Sequence, residues 1–119
     1  MDYKEWVRLA RQDLESAKIV FKQKLYYVAA FLLHQALEKG LKALYIRKFG
    51  VLIKIHNLIF LAKKLNLPKK FLNVFRKVNP FYIESRYPPL AVRSKYKAKD
   101  IEKLIIKVEE VIKWLERNL

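Results

Sequence analysis

The chain has no cysteine and no threonine, and only two glycines and four prolines in 119 residues. Without a thiol there is no disulfide staple, thiolate zinc site or cysteine nucleophile, so stability has to come from packing. Gly40 and Gly50 stand apart from each other and from any Lys-Ser/Thr pair. That spacing removes a glycine-rich phosphate loop and with it a P-loop enzyme. Histidine is scarce as well: besides His56 there is only His34, with Glu38 four residues after it at a ligand-like spacing. Ser16, Ser85 and Ser94 lie in no nucleophile-elbow setting, so acyl transfer has no support. No metal and no cofactor is expected. The longest apolar run, Leu25 to Leu33, is about half of the ~20 residues that span a bilayer. Met1-Asp2-Tyr3-Lys4-Glu5 mixes charge signs and leads into no apolar run. The expectation is a cytoplasmic protein of one domain, residues 1–119, with no membrane partner.

What the chain has in excess is positive charge: 26 Lys and Arg against 11 Asp and Glu, a formal +15. Such a surface attracts nucleotide, nucleic acid or an acidic protein. Residues 1–50 hold ten cations against five acids, residues 51–100 twelve against two, and residues 101–119 four against four. The electrostatic footprint is therefore expected on the connection from Pro80 to Lys99 and its neighbours. There Tyr82, Arg86, Tyr87, Arg93, Lys95 and Tyr96 interleave rings with cations. Bases can stack on the rings while phosphates meet the cations, or Tyr82 and Tyr87 can plug the core while the cations stay solvated.

Apolar residues recur at helical spacing through most of the chain. Trp6, Leu9, Ala10, Leu14, Ala17, Val20 and Phe21 predict an amphipathic helix from Asp2 to Phe21. At about 100° per residue Asp13 falls within its apolar stripe and needs a partner, whether a neighbouring helix or a ligand. A second helix, Leu25 to Lys48, is apolar over most of its circumference and so central. Its narrow polar stripe, Gln35, Glu38, Lys39 and Lys42, faces water, a cleft or another subunit. Gly40, which costs about 1 kcal/mol relative to alanine, marks a close helix approach, and Gly50 a stop. A third helix of about nine residues follows a cap at Asn57 or His56. Pro68 suits the first turn of a fourth helix, and a further turn is expected over Phe81 to Ser85. Arg86-Tyr87-Pro88-Pro89 then runs extended. Ile101, Leu104, Ile105, Val108, Val111, Ile112 and Leu115 form the stripe of a last helix, with Asp100 as its N-cap or first-turn acid. With no period-two stretch, the class is all-α.

The run Tyr26 to Leu44, containing Gln35-Ala36-Leu37-Glu38-Lys39, together with Ala10-Arg11-Gln12-Asp13-Leu14, His56-Asn57-Leu58 and Arg86-Tyr87-Pro88, resembles the HEPN family over nearly the whole chain. The resemblance implies an up-and-down bundle of four long helices plus a short one. It also implies a homodimer and a minimal nucleotidyltransferase as partner in a two-component, toxin-antitoxin-like system. Many members are ribonucleases with an Arg and a His separated by four to six residues. Here the positions that would supply that Arg are Tyr27, Val28 and Ala29 for His34, and Phe49, Gly50 and Val51 for His56. No catalytic residue is assigned, and a non-catalytic nucleotide- or RNA-binding module is expected. The alternatives are a ribonuclease using unfamiliar residues and a structural dimeric interaction domain. By the resemblance, Gln35, Glu38, Lys39, Lys42, Arg86 and Tyr87 are the ligand-binding candidates, with Asp13 a structural polar residue. Lys42 and Arg86 would neutralise phosphate, Tyr87 would meet a base, and Gln35 would bond a polar edge. The competing account makes Asp13, Gln35, Lys39 and Arg86 a network that fixes helix packing.

Overall fold

The computed structural model describes residues 2–84 and 96–119. Arg86 and Tyr87, with the extended path through Pro88 and Pro89, lie outside the described residues. Three long helices make the frame: α1 (Tyr3–Lys22), α2 (Tyr26–Phe49) and α6 (Ala98–Arg117). Between the second and the last the described chain is helical in shorter pieces. These are α3 (Leu58–Lys64), one 3-10 turn (Lys69–Phe71), α4 (Leu72–Val78) and α5 (Phe81–Glu84). The described residues are all-α, in a bundle of about 41 × 26 × 22 Å.

Local chemistry sets most of the boundaries. Asp2 caps α1, its Oδ1 accepting from Lys4 N at 2.9 Å, and Asn57 caps α3, its Oδ1 accepting from Ile59 N and Phe60 N. Both satisfy donors that a helix start leaves bare. Gly50 ends α2 at φ 74°, a left-handed conformation open to glycine, and its N–H reaches Ile46 O at 2.7 Å. Pro68 precedes the 3-10 turn rather than sitting inside a helix. Asp100 lies in the first turn of α6, where Lys97 holds the cap position.

Helix α2 is the axle of the bundle. It is apolar on nearly every side and buries Ala29, Leu33, Leu37, Leu41 and Leu44 among the flanking helices. Helices α1 and α6 clasp it from one side, and α3 to α5 cover part of the other. At Gly40 side chains of α6 come close: a Cβ there would lie 2.7 Å from Leu115 Cδ1 and 3.4 Å from Ile112 Cδ1.

The two clasping helices are tied by charge as well as by packing. Arg11 bonds Glu109 at 2.5 Å and Glu116 at 2.8 Å, and Lys18 bonds Glu109 at 2.6 Å. The pairing runs up α1 as it runs down α6, so these helices are antiparallel. Burial alone would raise the Glu109 carboxyl, but the hydrogen bonds from Lys18 and Arg11 outweigh it and hold the group below the ordinary carboxylate range. A carboxylate depressed in the folded state stabilises it above the unfolded pKa, and that contribution is lost as pH falls through the folded value. Thermal stability is therefore expected to fall in a Glu109-dependent way below the ordinary carboxylate pKa of 4.5. In melts across acid pH, Glu109→Gln should be less stable than wild type at pH 7 and show a shallower acid limb. Identical limbs would mean that the bridges contribute nothing.

Candidate functional site

The polar stripe of α2 does not face open water; it divides in two. Toward α1, Lys39 Nζ donates to Asp13 Oδ2 at 2.6 Å, a half-buried bridge that gives the carboxylate on the apolar face of α1 its partner. Toward the α2–α3 connection, Glu38 and Lys42 are each only 6% exposed, and Lys42 Nζ donates to Glu38 Oε2 at 2.8 Å. Gln35 belongs to neither bridge; its Oε1 is buried with no hydrogen-bond partner among the described residues.

The carboxylate of Glu38 also holds a residue from outside the helix. His56 Nδ1 lies 2.9 Å from Glu38 Oε1 and 3.0 Å from Oε2, and its ring stacks on Tyr82 at 4.3 Å between centroids. The ring nitrogen donates, because an ionised carboxylate can only accept. His56 is therefore not the cap of α3. Asn57 takes that role, and the non-helical connection before α3 turns the histidine back over α2. Its side chain remains 48% exposed, so one edge of a tightly oriented imidazole meets solvent.

His34 completes the cluster from below. It is fully buried, and its Nε2 lies 3.1 Å from the carbonyl oxygen of His56, which it satisfies as a donor. Nδ1 then carries a lone pair, 3.7 Å from Glu38 Oε1 and without a hydrogen-bond donor among the described residues. Burial pushes the ring below the ordinary histidine range against the opposing pull of Glu38. His34 is a neutral structural group beneath the oriented His56, out of reach of any ligand at the surface.

The HEPN domain family model matches residues 3–118. The chain belongs to the HEPN family. Among solved structures, TT1696 from Thermus thermophilus superposes with a TM-score of 0.89 over 100% of both chains at 21% identity. At that identity the likeness is one of fold. ST0689, an archaeal HEPN homologue, superposes with a TM-score of 0.82 over 99% of this chain and 98% of its own, at 25% identity. No curated protein matches significantly.

Most of the connection from Pro80 to Lys99 lies outside the described residues, but its neighbours in this HEPN domain are strongly cationic. Between Glu38 and Glu84 the chain has no acidic residue. Within that stretch Lys54, Lys63, Lys64, Lys69, Lys70, Arg76 and Lys77 are exposed, spread over α3, α4 and their approaches. Tyr96 offers no ring to a base, because it is buried and packs edge-on against Phe81. Tyr82 does take part, as the stacking floor beneath His56.

Sequence reasoning singled out Glu38 and Lys42, but weighed His56 only as an alternative cap and as a ribonuclease histidine lacking its arginine, never as a partner of Glu38. No local spacing links residues 38 and 56. The one usable signal was the order of types, a histidine directly followed by the capping asparagine of a new helix.

Proposed function

We propose that this HEPN domain is a non-catalytic binding module for RNA or nucleotide, acting as a homodimer beside a separate nucleotidyltransferase. The observation that carries the reading is the acid-free stretch between Glu38 and Glu84, whose exposed cations lie on the elements flanking the oriented His56 in the chain. Polyanions bind such surfaces through their phosphates, and counterion release makes the affinity fall steeply with salt. Support for binding over cleavage comes from His34, which is sealed in the core and neutral, and from the absence of an arginine at the family's spacing before either histidine. The dimer and the transferase partner are what membership of the family would bring.

The test is titration of a fluorescent single-stranded RNA oligonucleotide. With about three phosphates neutralised, raising salt from ~50 to ~200 mM should weaken binding by more than about tenfold. The double substitution Arg76→Glu with Lys77→Glu should weaken it further, and by more than Lys113→Glu, a charge reversal of an exposed lysine on α6. Binding that ignores salt, or that responds equally to reversals on α4 and α6, would sink the proposal.

A further inference from the structure

His56 lines a cavity of about 250 Å³ together with Asn57, Asn79, Pro80, Tyr82 and Ile83. Two of these residues have side-chain amides whose orientation is decided. Asn57 Oδ1 accepts from Ile59 N and Phe60 N, and Asn79 Oδ1 accepts from Leu58 N at 2.7 Å. Only the amide oxygen can accept, so in each case the Nδ2 amino group is what remains to donate to a ligand. His56 is oriented in the same way: Glu38 takes Nδ1–H, which leaves Nε2 for the exposed edge.

Among the described residues no lining residue is acidic. Among the described residues the groups that face the ring are Glu38, with Lys42 on its other side, and His34 from α2, and Tyr82 from α5. Lys42 cancels Glu38 and His34 is neutral, so a proton on His56 gives the cluster a net single positive charge with its second N–H turned outward. Glu38 accepts from one end of that imidazolium, and an oxyanion is the natural acceptor for the other. The volume is below the ~300 Å³ at which pockets for whole small molecules begin, which suits a phosphoryl group with part of a sugar better than a complete nucleotide.

We propose that this cavity binds a terminal phosphate monoester of a nucleotide or RNA chain, held by the His56 imidazolium and the amino groups of Asn57 and Asn79, with a proton taken up on binding. The inference rests on the polyanion-binding reading and narrows it, since it assigns recognition of a chain end to one place on a broadly cationic surface.

Two RNA octamers of one sequence, bearing a 5′-phosphate or a 5′-hydroxyl, test it on the full chain. At pH 6 the phosphorylated octamer should bind about tenfold more tightly, and the preference should shrink by pH 8. Millimolar inorganic phosphate should abolish the preference without displacing the hydroxyl-ended octamer. His56→Gln keeps a donor for Glu38 but cannot carry charge, so it should bind both octamers alike at either pH. In the wild-type protein, NMR of the histidine ring nitrogens should show His56 moving toward imidazolium when the phosphorylated octamer is added at pH 7, a readout that needs no variant. Equal affinity for the two octamers at pH 6, a preference that survives His56→Gln or resists inorganic phosphate, or unmoved His56 resonances would each overturn the subsite. If both octamers bind equally, the surface reading stands without it; if neither binds at low salt, the surface reading falls too.

Discussion

Glu38→Ala is expected to lower the free energy of unfolding by about 3–5 kcal/mol. The reason is Lys42, whose ammonium is buried and donates to Glu38 at 2.8 Å. Once the carboxylate is gone, that charge has neither its partner nor water, and His56 loses the acceptor that holds its ring. The cost arises from leaving one charge behind, so removing both should be far milder. Glu38→Leu combined with Lys42→Met replaces the pair with apolar groups of similar size and should recover most of the loss. Denaturant midpoints with an unchanged slope would measure both. A single-variant loss under about 1 kcal/mol would mean that the lysine stem swings its ammonium out to solvent. The double variant should nevertheless lose the preference for the 5′-phosphorylated octamer, because His56 is then unanchored.

The second large effect is expected at Gly40. Valine there places branched carbons where Leu115 Cδ1 and Ile112 Cδ1 already sit, and both of those side chains are fully buried. Overpacking of this kind costs about 1–3 kcal/mol, more than the few tenths that valine gains over glycine as a helix former. Gly40→Ala should come out nearer neutral, since a helical gain of about 1 kcal/mol offsets its tight contact with the end of the Leu115 side chain. Shortening the obstructing side chain decides the cause: Leu115→Ala should be less harmful in the Gly40→Val background than in wild type. Strict additivity of the two substitutions would show that they do not share the space.

Both effects were only partly legible beforehand. Gly40 was readable because a glycine inside an apolar rod has few explanations other than close approach, and Asp2, Asn57 and Gly50 were readable because helix ends are governed by neighbouring residues. Periodicity gave the long helices, since burial against any neighbour imposes the same 3.6-residue spacing. It could not show what covers the polar stripe of α2. Glu38, Lys42 and Lys39 lie within about 100° of arc on an ideal helix, yet Lys39 turns to Asp13 on α1 while the other two turn to His56. That division depends on where the chain returns after Gly50, a tertiary matter that no spacing along α2 contains. The same limit hid the weight of α3 and α4 in the cationic surface: counting by thirds found the excess, but exposure is set by the fold.

The clasp of α6 on α2 also bears on how the molecule is made. During synthesis α1 and α2 can pair as soon as both have left the ribosome, but the furrow at Gly40 is filled by Ile112 and Leu115, which emerge only after α3, α4 and α5 have been made. Until then the nascent chain carries an open greasy seam along its central rod. A product stalled before α6 would therefore be a prime client for chaperones and proteases, with the seal of the bundle resting on the last two turns of that helix.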